Sequence, residues 1–217
     1  MNNEMPKVRR TIYTVVVKRI LDVVLSGTAI IVLSPVMIVI TIFELVFHGR
    51  PVLFSQIRPG LHGENFRLFK FRSMTNEKDD CGNLLPGEKR LTSFGRFIRR
   101  FSLDELPELF CIFLGKMSII GPRPLLVEYL PMYSPRHKMR HEVRPGLACM
   151  SLIPIKTWTW YDQLENDIWY IENCSFLVDV KMLFVIIKQA LKASEYRVND
   201  TREDFVDENQ EKENSAN

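Results

Sequence analysis

Val23 to Phe43, VVLSGTAIIVLSPVMIVITIF, is a run of 21 residues without a charge. About 20 apolar residues let a helix cross a bilayer, so the pattern predicts a membrane helix here. No small-residue cleavage site precedes Glu44, which argues against a removable leader. Ser34-Pro35 lies in the middle of the run. Proline has no N–H to give and crowds the carbonyl of Ile31, so the helix is expected to break or kink at this pair, with Ser34 hydrogen-bonding a freed carbonyl. The flanks are balanced in charge. Lys7, Arg9, Arg10, Lys18 and Arg19 precede the run; Arg50, Arg58, Arg67, Lys70 and Arg72 follow it. A spanning helix usually carries its bases on one side. Five against five fits a re-entrant helix that leaves on the side it entered, but the residues alone leave a kinked span equally open.

Beyond Arg50 the pattern shortens. Val52 to Gln56 is β-like, and Asn65 to Arg72 (NFRLFKFR) suits a strand with Phe66, Leu68, Lys70 and Arg72 on one face. Residues 75–88 read as a loop, and Arg90 to Arg100 as a basic amphipathic stretch. Ser102-Leu103-Asp104-Glu105 has capping-box spacing, although Pro107 is close enough for the helix to begin there instead. Gly121-Pro122-Arg123-Pro124 reads as a rigid extended corner. All three tryptophans fall in 157–170, where core packing is their expected use. Residues 176–192 are helical in period, but Asp179, Lys181 and Lys188 make them too charged to span. A core or interface-lying helix is expected there. The fold class that results is α+β and mostly helical. Its segments are a membrane region over 1–48, a catalytic domain over 49–196 and an acidic, disordered tail over 197–217.

Composition narrows the classes. Of 217 residues, 46% are hydrophobic and 25% charged, which excludes wholesale disorder and collagen-like repeats. The net charge of +3 hides an asymmetry: Asn199 to Asn217 carries −5, leaving +8 on the rest. A basic body suggests a polyanionic partner, whether nucleic acid, anionic membrane or phosphorylated substrate. Cys81, Cys111, Cys149 and Cys174 form no C-x-x-C pair and read as reduced, unpaired thiols. His137 and His141 read as a polar helix face rather than metal ligands.

Two constellations could carry chemistry. Asp104-Glu105 follows the bases Arg90, Arg96, Arg99 and Arg100. Neighbouring helical residues point about 100° apart, so the two carboxylates could divide the roles of nucleophile and metal ligand; simple helix capping is the competing reading. Arg123 between two prolines presents a planar fork suited to phosphate oxygens, against a purely structural loop. Lys70, Arg72, Arg140 and Arg144 are further candidate phosphate contacts.

Taken in order, these pieces resemble the bacterial sugar transferases, the small monotopic phosphoglycosyl transferases. The matching stretches are Lys18-Arg19 with Asp22, Ser34-Pro35, Pro51 to Arg58, Phe69 to Met74, Arg99 to Pro107, Gly115 to Pro124, Arg144-Pro145-Gly146 and Asp179-Val180-Lys181. The resemblance implies transfer of a sugar 1-phosphate from a UDP-sugar to undecaprenyl phosphate at the cytoplasmic face of the bacterial membrane, releasing UMP and starting a lipid-linked glycan. It implies Asp104 as nucleophile, Glu105 as a Mg²⁺ ligand, and Lys70, Arg72, Arg123, Arg144 and Asp179 as phosphate or substrate contacts. It favours the re-entrant helix, broken at Ser34-Pro35, with amphipathic interface helices behind it. The expected partners are the two substrates and membrane lipids, with a homodimer allowed for and nucleic acid excluded. Where many members read Thr-Gly, then Gln and Gly-Arg, this chain has Ala148, Cys149, Leu152, Ile155 and Lys156, so sugar preference is expected to depart there. The competing class is a non-catalytic, membrane-anchored assembly subunit that keeps the fold.

Overall fold

In the computed structural model a single α-helix, α1, runs from Lys18 to Phe47 with Pro35 inside it. A π-helical turn, Tyr13–Val17, leads into it. At ~1.5 Å per residue its 30 residues extend about 45 Å, more than the roughly 30 Å of a hydrocarbon core. The stretch Tyr13–Phe47 has a window of mean hydropathy 2.7 that is only 11% buried, so it is long and apolar enough to cross a membrane. The structure describes residues 5–149 and 159–191.

Helical structure continues through Ser34-Pro35, so no break in the helix occurs there. What happens instead is local. The Ile31 carbonyl, which would otherwise bond residue 35, accepts the Ser34 hydroxyl at 2.8 Å. Thr28 and Thr41 bond the carbonyls of Val24 and Met37 in the same way, each at 2.8 Å. Hydroxyls that bond their own helix leave no donor unsatisfied in an apolar surrounding.

The remaining elements are short. Strand β1 (Leu53–Pro59) pairs with β2 (Asn65–Phe71). Then come helices α2 (Gly87–Arg90), α3 (Ser93–Arg100) and α4 (Glu108–Phe113). Strand β3 (Ser118–Ile120) runs parallel to β4 (Gly146–Ala148), with Ser118 opposite Gly146 and Ile120 opposite Ala148. Between them lies α5 (Pro135–Lys138); α6 (Trp160–Asn173) and α7 (Phe176–Leu191) follow. The architecture is α+β and mostly helical, as expected. The basic amphipathic stretch from Arg90 divides between α2 and α3, because Thr92 is extended and its side chain accepts Gly95 N–H as the N-cap of α3.

Contacts group the chain into two units. One holds Met1–Asp22, Arg58–Phe66 and Lys116–Asn217; the other holds Val23–Ile57 and Arg67–Gly115. In the second unit, Ile40, Phe71 and Ile98 form a core against which Leu103 and Leu106 pack. In the first, one core collects Ile120, Ile168, Tyr170, Ile171, Cys174 and Met182. Another collects Leu125, Tyr129, Tyr133, Trp160 and Leu164. Trp160 is therefore a core residue, edge-on to Tyr129 at 5.8 Å, and Trp169 is partly buried on the first of these cores. Trp158, the stretch 150–158 and the expected disordered tail 197–217 lie outside the described residues. Met182 of α7 is fully buried while Phe176, Leu177 and Phe184 are exposed; α7 thus has one face in the core and an apolar outer face.

Candidate active site

Ser102, two residues past the end of α3, is in a left-handed conformation, φ 53°, and makes no side-chain cap bond. The capping box its spacing suggested is therefore not formed. Instead Leu103–Glu105 makes one 3-10 turn, closed by Glu105 N–H to Ser102 O at 3.2 Å. Pro107 then serves as N-cap of α4, the alternative its position offered. A left-handed non-glycine residue costs roughly 1–2 kcal/mol. Such strain persists only where packing enforces it, and here Leu103 and Leu106 are anchored in the core beneath the turn.

That turn buries Asp104 to 5% exposure. Its neighbour Glu105 meets Lys70, which β2 supplies from the side of its pleat shared with buried Phe66 and Leu68. Lys70 Nζ lies 2.8 Å from Glu105 Oε1 and 3.1 Å from Glu108 Oε1. One ammonium thus serves two carboxylates, and Asp104 adds a third acid within the same five residues. Such an oxygen-rich cluster suits cations.

Arg72, two residues past Lys70, is put to a different use. It is 7% exposed, and its guanidinium donates to the carbonyls of His48 and Gly49 at the end of α1. Cations suit the last carbonyls of a helix. Beside it, His48 bridges Glu44 and Thr92, both at 2.8 Å. Arg99 donates to Ser73 at 2.7 Å.

The first unit holds the other candidates. Gly121-Pro122-Arg123-Pro124 follows β3 as the extended corner expected, with Arg123 exposed. The corner lies back to back with Arg144-Pro145-Gly146. Gly146 N–H bonds Pro122 O at 2.9 Å, Ser118 N–H bonds Pro145 O at 2.8 Å, and Gly121 N–H bonds Ala148 O at 3.1 Å. A Cβ on Gly146 would overlap the Gly121 backbone, and one on Gly121 would come within 2.6 Å of Arg144 O. Both glycines are fixed by this close approach.

Asp179, at the start of α7, accepts from Tyr13 (2.6 Å), Lys18 (2.5 Å) and Tyr170 (2.8 Å). Asp22 accepts Ile119 N–H at 3.0 Å. These acids pin the N-terminal segment to the first unit. Burial, and then Asp179, pushes the Tyr170 phenol well above its usual range, so it stays a donor. The structure thus brings Lys70 to Glu105, joins the Arg123 and Arg144 segments, and ties Asp179 to Lys18. It gives Arg72 to α1.

His137 and His141 do not form a solvated face. His137 is 6% exposed and meets Glu165 at 2.9 Å. His141 is held down to about 4 by burial and by Arg140. All four cysteines are free thiols. Cys149 faces Asn166 Nδ2 at 3.6 Å, and burial pushes its thiol well up. Leu152, Ile155 and Lys156 lie outside the described residues. Sequence reasoning missed Glu108. The signal for it was spacing, because Asp104 and Glu108 stand four apart, a separation that a continuous helix would place on one face.

Among the described residues no group of three His, Cys, Asp or Glu is arranged to hold a metal. Mg²⁺ asks for less, since it takes one or two carboxylates with phosphates and waters. Glu105 and Glu108, which already hold an ammonium between them, offer donors of that kind.

Residues 13–193 match the family model described as bacterial sugar transferase. The "uncharacterized sugar transferase EpsL" of Bacillus subtilis is 49% identical over 144 residues, 66% of this chain and 71% of that protein. The UDP-glucose:undecaprenyl-phosphate glucose-1-phosphate transferase of Klebsiella pneumoniae is 34% identical, over 79% of this chain and 39% of that protein. The UDP-N-acetylgalactosamine-undecaprenyl-phosphate N-acetylgalactosaminephosphotransferase of Aeromonas hydrophila is 33% identical, over 81% of this chain and 44% of that protein. The chain thus spans about two fifths of the length of the two relatives whose substrates are named.

Proposed function

The chain belongs to the bacterial sugar transferase family, and from that premise we propose that it transfers a sugar 1-phosphate from a UDP-sugar to undecaprenyl phosphate at a membrane surface. The observation that carries this reading is the acidic turn: buried Asp104, with Glu105 and Glu108 sharing Lys70. The names of the relatives support the substrate classes.

Asp104 is the nucleophile in this reading. Its carboxylate oxygen forms a bond to the β-phosphorus of the donor, the bond between that phosphorus and the bridging oxygen breaks, and UMP leaves with the electron pair. An oxygen of undecaprenyl phosphate then attacks the same phosphorus, and the aspartate departs as carboxylate. Two steps let a water-soluble donor and a lipid acceptor use one site in turn. Lys70 is the flexible charge: an ammonium held by two carboxylates can be drawn to a diphosphate oxygen as the donor arrives. Arg123, on its rigid corner, offers a fork to phosphate oxygens. Glu105, with Glu108, would hold Mg²⁺, which supplies charge neutralisation at the diphosphate. In this reading the uncharged run Val23–Phe43 of α1 holds the chain at a bilayer, with the cytoplasmic face as the side where UDP-sugars are found.

The test is UMP release by the purified chain with undecaprenyl phosphate and a panel of UDP-sugars. Release that depends on both substrates supports the reading. A folded, lipid-reconstituted chain that releases none across the panel favours the non-catalytic assembly subunit.

A further inference from the structure

Arg140 stood among the bases able to contact phosphate, and its placement gives it another task. It is 2% exposed. Its Nη1 donates to Tyr133 Oη at 3.0 Å, and its Nη2 donates to the Arg123 carbonyl at 2.6 Å. The same Nη2 is 2.6 Å from Asp167 Oδ2, both side chains being 1% exposed. The guanidinium also lies 5.7 Å from the centre of the Tyr133 ring.

The corner it meets is short of anchors. Pro122 and Pro124 have no N–H, so neither can donate a backbone bond. Its Gly121 N–H bonds Ala148 O at 3.1 Å, and two of its carbonyls are held as well. Gly146 N–H takes the Pro122 carbonyl at 2.9 Å, and Arg140 takes the Arg123 carbonyl. Burying a charge is costly without a partner, and Asp167 supplies it. Lysine could match the charge, but it lacks the planar fork that reaches three groups from one plane.

We infer that Arg140, held by Asp167 and Tyr133, is a positioning residue that fixes the backbone of Arg123, so that the exposed Arg123 guanidinium is presented in one orientation to the phosphates of the donor. The inference rests on the reading of Arg123 given under Proposed function. Asp167 belongs to the same device, one step further from the substrate.

Arg140→Lys, Asp167→Asn, Arg123→Ala and the double variant Arg140→Lys/Arg123→Ala test it, each in the full-length, lipid-reconstituted chain with folding checked by thermal melt. In Arg140→Lys, amide exchange over residues 121–126 should speed up while that of α7 stays as in the wild type. The KM for the UDP-sugar should rise about tenfold with a smaller change in kcat. On the Arg123→Ala background the same substitution should cost less than about twofold, because both changes act through one guanidinium. Unchanged exchange over 121–126, or an equal loss with and without Arg123, would overturn the inference and leave Arg140 a core residue only. If Arg140→Lys fails to fold, Tyr133→Phe removes one of its contacts and should shift exchange and KM in the same direction. If the wild type releases no UMP, the functional reading fails by itself. The exchange measurement, with calorimetric binding of UDP to the same four variants, still decides whether Arg140 acts through Arg123.

Discussion

Glu165 shows how far the environment of one side chain sets its chemistry. Burial raises its affinity for a proton, but hydrogen bonds from His137 and Arg136, at 2.9–3.1 Å, outweigh that and hold the carboxyl near 2. The depressed value means stability that is complete above about 4.5 and lost as pH falls toward 2. His141 adds a second slope at higher pH. Burial first, then Arg140, holds it down to about 4, so the unfolded chain takes up the proton first and stability falls between about 6.5 and 4. Melting curves from pH 8 to 3 should therefore steepen in two stages. Glu165→Gln should flatten the lower stage only and His141→Gln the upper stage only; loss of both stages in either variant would contradict this division. Neither slope was legible beforehand. His137 and Glu165 are 28 positions apart in sequence, and no spacing rule joins them. The acidic turn was more legible, because adjacent carboxylates stand out in any sequence. The left-handed Ser102 was not, since it depends on Leu103 and Leu106 being held in the core.

At the scale of elements, the pattern of hydrophobic positions located α1 and both strands of the first sheet to within a few residues. At Ser34-Pro35, where a break or kink was expected, helical structure continues, with the Ser34 hydroxyl on the Ile31 carbonyl. Topology remains the property that this pair should govern. Cysteine reporters placed before Lys7 and after Arg50 are expected to label from the cytoplasm alone in the wild type. Replacing Ser34 and Pro35 by Ala and Leu should shift one reporter to the far side. Labelling of the two wild-type reporters from opposite sides would establish a span. The β3–β4 pair was harder to foresee. Each strand has three residues, too few for a period, and what locates them is the backbone contact of Gly121 with Gly146. The Arg140–Asp167 pair was hidden for a related reason: its members sit on different elements and declare no shared face until the chain has folded.

For the molecule as a whole, two features matter most. Along α1, Ile31, Val32, Ile38, Ile42 and Val46 are all more than half exposed, an apolar area that water would not tolerate. The protein should stay with membranes through a carbonate wash and leave them in detergent; release by carbonate alone would argue against an inserted helix. The other feature is the largely buried acidic turn with Lys70, where the central claim lies. That claim is that Asp104 forms a covalent bond to the sugar phosphate. The most direct measurement is a trapped adduct. The protein is incubated with a UDP-sugar and no lipid acceptor, then quenched, digested and analysed by mass spectrometry. The account predicts the added mass of a sugar phosphate on Asp104, absent from Asp104→Asn, whose amide is too poor a nucleophile and should cost several orders of magnitude in turnover. A sugar phosphate on a different residue, or full turnover by Asp104→Asn, would contradict it.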